Sequence, residues 1–134
     1  MTFVDTNVLL DLVTDDPVWA EWSQEHLEAA ALEGPLLADP MVYAELSVRY
    51  ARVEAVDEFF AVAGITLVET PRAALFLAGK VFGRYRKAGG ARTGVLPDFL
   101  IGAHAAVAGR PLLTRDRGRY TSYFPTVTLV APSL

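Results

Sequence analysis

Thr2-Phe3-Val4-Asp5-Thr6-Asn7-Val8-Leu9-Leu10-Asp11-Leu12-Val13 decides the fold class. Three β-prone residues stop at Asp5-Thr6-Asn7, and a run of good helix formers follows at once, so a strand feeds directly into a helix. The same alternation recurs along the chain. Asp15-Asp16-Pro17 offers an N-cap and a proline at the first helical position, opening a helix through Trp19, Trp22, Leu27 and Ala30 that ends near Gly34. Pro35-Leu36-Leu37-Ala38 reads as a strand, and Asp39-Pro40 starts a helix through Val48. Val53 to Ala63 is a further helix closed by Gly64, and Ile65-Thr66-Leu67-Val68 is a β-branched strand. Pro71 opens a long helix to about Ala88, stopped by Gly89-Gly90, and a loop runs on to Pro97. A helix from Asp98 to Ala108, a strand at Pro111-Leu112-Leu113, a polar turn from Thr114 to Arg119 and a strand at Val127-Thr128-Leu129-Val130 complete the reading. Short, wholly apolar strands separated by helices predict an α/β class with a parallel sheet covered on both faces.

The 134 residues are expected to form one domain, with neither repeats nor linkers. A 52% apolar, 21% charged composition excludes a disordered chain. The absence of cysteine excludes disulfide scaffolds, zinc-thiolate sites and thiol nucleophiles, and is compatible with a cytoplasmic location. No signal peptide is read at the N-terminus and no membrane span anywhere. The formal charge of −4 conceals an asymmetry. Met1 to Val48 holds ten acids and no Lys or Arg, whereas Thr70 onward holds ten bases against Asp98 and Asp116. Local potential steers association, so the basic half suits a polyanion even in an acidic protein.

In an open parallel sheet, ligands bind beyond the carboxyl ends of the strands. Asp5 directly follows the first strand, Glu45 lies one turn into the helix after the second, Asp98 opens a helix, and Asp116 sits just past the strand at Leu113. Singly, each has an ordinary role as a cap, a turn former or a solvated helix residue. Four carboxylates gathered at one sheet edge repel, which calls for protons or a divalent cation. All-oxygen ligation suits Mg²⁺ or Mn²⁺, and such an ion activates water and stabilises charge developing on a phosphate. Thr6, Asn7 and Thr114 supply neutral hydrogen bonds beside those acids.

Val4-Asp5-Thr6-Asn7-Val8-Leu9-Leu10-Asp11-Leu12, Tyr43-Ala44-Glu45-Leu46, Pro97-Asp98-Phe99-Leu100-Ile101-Gly102-Ala103-His104-Ala105 and Leu112-Leu113-Thr114-Arg115-Asp116 resemble, in order and over nearly the whole chain, the four acidic motifs of PIN-domain ribonucleases, in particular VapC-type toxins. The resemblance implies a three-layer α/β/α fold, here a single PIN domain over residues 1–134, on a parallel sheet of about five strands. It also implies endonucleolytic cleavage of RNA with Mg²⁺ or Mn²⁺, homodimerisation and silencing by a small VapB-like antitoxin. By position, Asp5, Glu45, Asp98 and Asp116 would be the catalytic, metal-binding acids, with Thr114 the hydroxyl beside the last. Many relatives carry a further acid just after the final motif; this chain has Arg117-Gly118-Arg119-Tyr120, which leaves one-metal and two-metal chemistry both open.

Arg115, Arg117 and Arg119 surround Asp116, and Arg92 lies in the loop leading to Asp98, so these four are the expected RNA-phosphate contacts. Arg84 and Lys87 read as a solvated helix end. His104 is six positions from Asp98 on one helix and points to another face, which favours packing over acid-base work. His26 reads as exposed. Apolar and aromatic residues from Trp19 to Ala30 and from Val42 to Phe60 suit an antitoxin helix or a dimer partner. The alternatives are a stand-alone RNA-processing nuclease and a non-catalytic RNA-binding module. A receiver domain is disfavoured because the only lysines, Lys80 and Lys87, lie on a helix, and a dehalogenase-like phosphatase because Asn7 stands where a second aspartate is needed.

Overall fold

Each strand of the sheet is only two or three residues long and parallel to its neighbours, and a helical crossover separates it from the next. The structure, a computed structural model, describes residues 1–92 and 94–133. The order is β1 (Thr2–Val4), α1 (Thr6–Val13), α2 (Ala20–Glu33), β2 (Leu36–Ala38), α3 (Pro40–Ser47), α4 (Val53–Ala63), β3 (Ile65–Leu67), α5 (Arg72–Lys87), α6 (Leu96–Ala108), β4 (Leu112–Leu113), α7 (Arg117–Tyr123) and β5 (Leu129–Val130). The sheet runs β3-β2-β1-β4-β5, all parallel. Central β1 places Phe3 opposite Leu37 on one side and Leu112 on the other. Phe3, Val4, Leu36, Leu112 and Leu113 are buried, as strands covered on both faces must be. Five parallel strands with seven helices among the described residues match the expected three-layer α/β/α arrangement.

The helix signals in the sequence act largely as expected. Asp39 caps α3, its carboxylate accepting from the Met41 N–H at 2.8 Å, with Pro40 in the first turn. Gly64 ends α4 and Gly109 ends α6 in the left-handed region, at φ 71° and 65°. Several boundaries differ. Helix α2 begins at Ala20 instead of Pro17, because the Asp16 carboxylate accepts from the Val18 and Trp19 N–H groups and closes a separate turn first. The polar turn expected up to Arg119 gives way to α7, capped by Asp116 and anchored by buried Tyr120. Of the expected loop from Gly89 to Pro97, Thr93 lies outside the described residues, and Leu96 and Pro97 belong to α6.

His104 is a core residue, as its position on α6 suggested. Its ring packs on Phe3 with centroids 4.6 Å apart, and Nδ1 donates to Asp39 Oδ2 at 2.7 Å. Thr70 Oγ1 donates to the same carboxylate oxygen at 2.7 Å. One buried carboxylate thus ties together the start of α3, the segment before α5 and the middle of α6. His26 departs from expectation: it is half-buried, stacked on Trp22 at 4.2 Å between centroids, with Nδ1 2.8 Å from the Trp22 carbonyl.

Candidate active site

The chain leaves β1 toward β2 and β3 on one side, then crosses back to place β4 and β5 on the other. The carboxyl ends of β1 and β4 therefore meet where the strand order reverses, the position at which open α/β sheets bind ligands. Asp5 follows β1 there, and Thr114 and Asp116 follow β4. A cavity of about 460 Å³ opens at this point, lined by Asp5, Thr6, Asn7, Glu45, Asp98, Asp116 and Arg119, with Arg49 and Leu10 among its walls. All four expected acids line it, delivered by the N-caps of α1 and α7, the middle of α3 and the first turn of α6.

Asp5 is the most constrained of them. It caps α1 by accepting from the Thr6 N–H at 2.7 Å, while its other oxygen accepts from Thr114 Oγ1 at 2.7 Å and Tyr120 Oη at 2.9 Å. Burial nevertheless pushes its carboxyl up to about 6, and the nearby Asp98 charge adds to the shift against those hydrogen bonds. Asp98 is also raised, first by burial and then by Glu45 and Asp116, against the lowering effect of Arg119. Thr6 Oγ1 donates to Glu45 Oε1 at 2.7 Å. Thr114 is buried, and besides its bond to Asp5 its Oγ1 accepts from the Asp116 N–H at 3.0 Å. It links the first and last acidic motifs. Tyr120, whose hydroxyl is held well above its usual pKa by burial and then by the charge of Asp5, escaped sequence reasoning. Its only signal was an aromatic residue one turn beyond Asp116.

The four expected phosphate-contacting arginines are placed very differently. Arg115 turns inward: Nε and Nη2 donate to the two oxygens of buried Asp11 at 2.6 and 2.9 Å, and the guanidinium lies 5.1 Å from the Trp19 ring. Ser23 Oγ donates to the same Asp11 at 2.7 Å. Arg117 donates to the carbonyls of Ala131 and Pro132. Arg119 turns into the cavity, where Nη1 bonds Asp98 and stands 3.7 Å from Asp116. Arg92 is exposed. Arg49, which sequence reasoning passed over, is exposed and lines the cavity. Because Arg115 neutralises a carboxylate that is only 3% exposed, Arg115→Ala is expected to lower stability by about 3 kcal/mol through the unpaired buried charge. Urea unfolding of the variant checks this, and a loss below about 1 kcal/mol would contradict it.

Residues 2–121 match the PIN domain family model. The chain belongs to the PIN domain family. Comparison with curated protein sequences returns no match. Among solved structures, this PIN domain is similar to VapBC2 from Rickettsia felis bound to a DNA fragment from its promoter, at 17% identity and TM-score 0.74 over 98% of both chains. It is similar to a toxin-antitoxin complex from Klebsiella pneumoniae, at 19% identity and TM-score 0.68 over 96% of both chains. It is also similar to DNA-bound VapBC from Salmonella typhimurium, at 16% identity and TM-score 0.68 over 97% of this chain and 96% of that one. At such identities the likeness is one of fold.

PIN-domain nucleases generally use divalent metal ions. The donor set of this PIN domain fits such an ion in chemistry: oxygen ligands only, two carboxyls raised by burial and by neighbouring carboxylates, and hydroxyls and an amide beside them. Among the described residues no three acidic or histidine side chains already converge on one point. Asp98 and Asp116 are drawn toward Arg119 instead.

Proposed function

We propose that this PIN domain is a metal-dependent endoribonuclease acting as the toxin of a VapBC-type pair. The observation that carries the reading is the placement of Asp5, Glu45, Asp98 and Asp116 around one cavity at the sheet's switch point. Those four would hold Mg²⁺ or Mn²⁺, which supplies activated water and charge stabilisation at the scissile phosphate. Thr114 and Tyr120 fix the Asp5 carboxylate, and Thr6 orients Glu45. Arg49 and Arg119 at the cavity and exposed Arg92 supply positive charge for an RNA backbone. Arg115 and Arg117 contribute by holding the segment around Asp116 in place.

A second cavity, of about 420 Å³, supports the antitoxin. It is lined by Leu12, Leu27, Ala31, Phe59, Val62 and Ala63, with Asp15 and Glu28 also bordering it. An amphipathic helix with basic residues beside its apolar stripe suits that lining. Helix α1 runs between the two cavities, presenting Leu10 to the acidic one and Leu12 to the apolar one, and just past its last turn Thr14 borders the first and Asp15 the second. A segment seated in the groove therefore reaches the acids in the width of one helix, and an arginine it carries can pair with them. Homodimerisation and a cytoplasmic location belong to the same reading, and no helix among the described residues is long and apolar enough to cross a membrane.

Induced expression of the chain alone is expected to arrest growth, with discrete cuts mapped in cellular RNA, and co-expression of a small neighbouring reading frame to restore growth and copurify. Cleavage without arrest, and with no partner recovered, would favour a stand-alone RNA-processing nuclease. Binding of RNA with no cuts would favour a non-catalytic module.

A further inference from the structure

The third residue of α7, Arg119, is a basic side chain that reaches into the acidic cavity. Arg119 reaches the cavity from the first turn of α7, bonds Asp98 through Nη1 and lies 3.7 Å from Asp116, while its N–H donates to the Asp116 side chain at 3.4 Å. Its side chain is 24% exposed and that of Asp98 21%, so the pair is shielded from water on most sides. Asp116, the outermost acid, is 42% exposed. Arginine cannot lose its charge at any pH a folded protein meets, so the cation beside Asp98 and Asp116 does not titrate away. Among the described residues, Asp5 and Glu45 take hydrogen bonds only from neutral donors, namely Thr6, Asn7, Thr114 and Tyr120.

We infer that Arg119 is a resident substitute for a second metal ion, so that the four acids load a single divalent cation. The inference rests on the reading of this cavity as a metal-dependent nuclease site. Two divalent ions in one cluster compete for the same carboxylates, and a guanidinium already bound to Asp98 raises the cost of the second by like-charge repulsion and by removing its ligands. Arg119 Nε and Nη2 have no protein partner among the described residues, so the same guanidinium can present donors to a substrate phosphate in the fork geometry that suits it.

The test is Mn²⁺ titration of the full chain by calorimetry, with electron paramagnetic resonance reporting whether bound ions are coupled as a pair. The wild type is expected to bind one Mn²⁺ per chain with an uncoupled spectrum. Arg119→Ala frees Asp98 and Asp116 and is expected to bind two, with the broadened signal of a coupled pair; Arg119→Gln, which keeps most of the side-chain volume, serves if the alanine variant does not fold. Two ions in the wild type, or one ion in a folded Arg119 variant, overturns the inference while leaving the nuclease reading intact if the wild type cleaves RNA. A wild type that binds no Mn²⁺ and cuts no RNA overturns both.

Discussion

Asp5→Asn is expected to lose at least about 100-fold in RNA cleavage, the scale seen when one preorganised electrostatic group is removed from a site, while the metal-free protein becomes more stable. The two effects have one cause. The unfolded chain gives up this proton near the ordinary value of 3.8 and the folded chain near 6. Between those values the folded state holds the additional proton, so this residue's contribution to stability falls as pH rises, and above about 6 the full cost is present. That cost is about 3 kcal/mol at pH 7.5 on the linkage relation. Asparagine keeps the shape and carries no charge. In chelator, the variant is therefore expected to match the wild type near pH 4 and to exceed it by about 1–3 kcal/mol at pH 7.5, read from urea midpoints. Equal stability at both pH values would show that Asp5 is not held against its own charge.

His104→Ala is expected to be the most damaging single change in the core away from the cavity. The imidazole contacts Phe3 and supplies one of the donors that hold Asp39, whose side chain is fully buried. Removing it leaves a cavity beside β1 and a buried carboxylate supported only by Thr70 and the Met41 N–H. Breaking a buried pair in this way costs about 3–5 kcal/mol, a large share of the roughly 5–15 kcal/mol available to a domain of this kind. Thermal unfolding should move down by about 10–15 °C. A shift under about 3 °C would mean that Asp39 is satisfied without its histidine.

What the sequence made legible follows from how locally each feature is encoded. The strands are short apolar runs beside turn residues, so Thr2–Val4, Leu36–Ala38 and Ile65–Leu67 could be read directly. Val53 to Ala63 has clear boundaries because Gly64 must adopt a left-handed conformation. Asp5 and Asp116 were legible because a residue just after a parallel strand has little choice but to face the sheet's carboxyl edge. Features that depend on distant partners were not legible. Arg115 and Asp11 are 104 positions apart, and nothing local distinguishes an arginine that pairs inward from one that faces solvent. Helix α7 is one short segment with Gly118 inside it, too brief to show a helical period. With α7 unread, the direction of Arg119 and the contact of Tyr120 with Asp5 were unreadable too.

On the proposed function, the four acids work as one metal-dependent centre for RNA hydrolysis. Its most direct test is an end-labelled RNA substrate, chosen from cut sites mapped in cells, incubated with purified protein in Mn²⁺, in Mg²⁺ and in excess chelator, beside Asp98→Asn. Discrete cleavage products with either ion, lost in chelator and reduced at least about 100-fold in the folded variant, are the predicted result. Undiminished cleavage in chelator or by Asp98→Asn would show that the four acids do not form a metal-dependent centre.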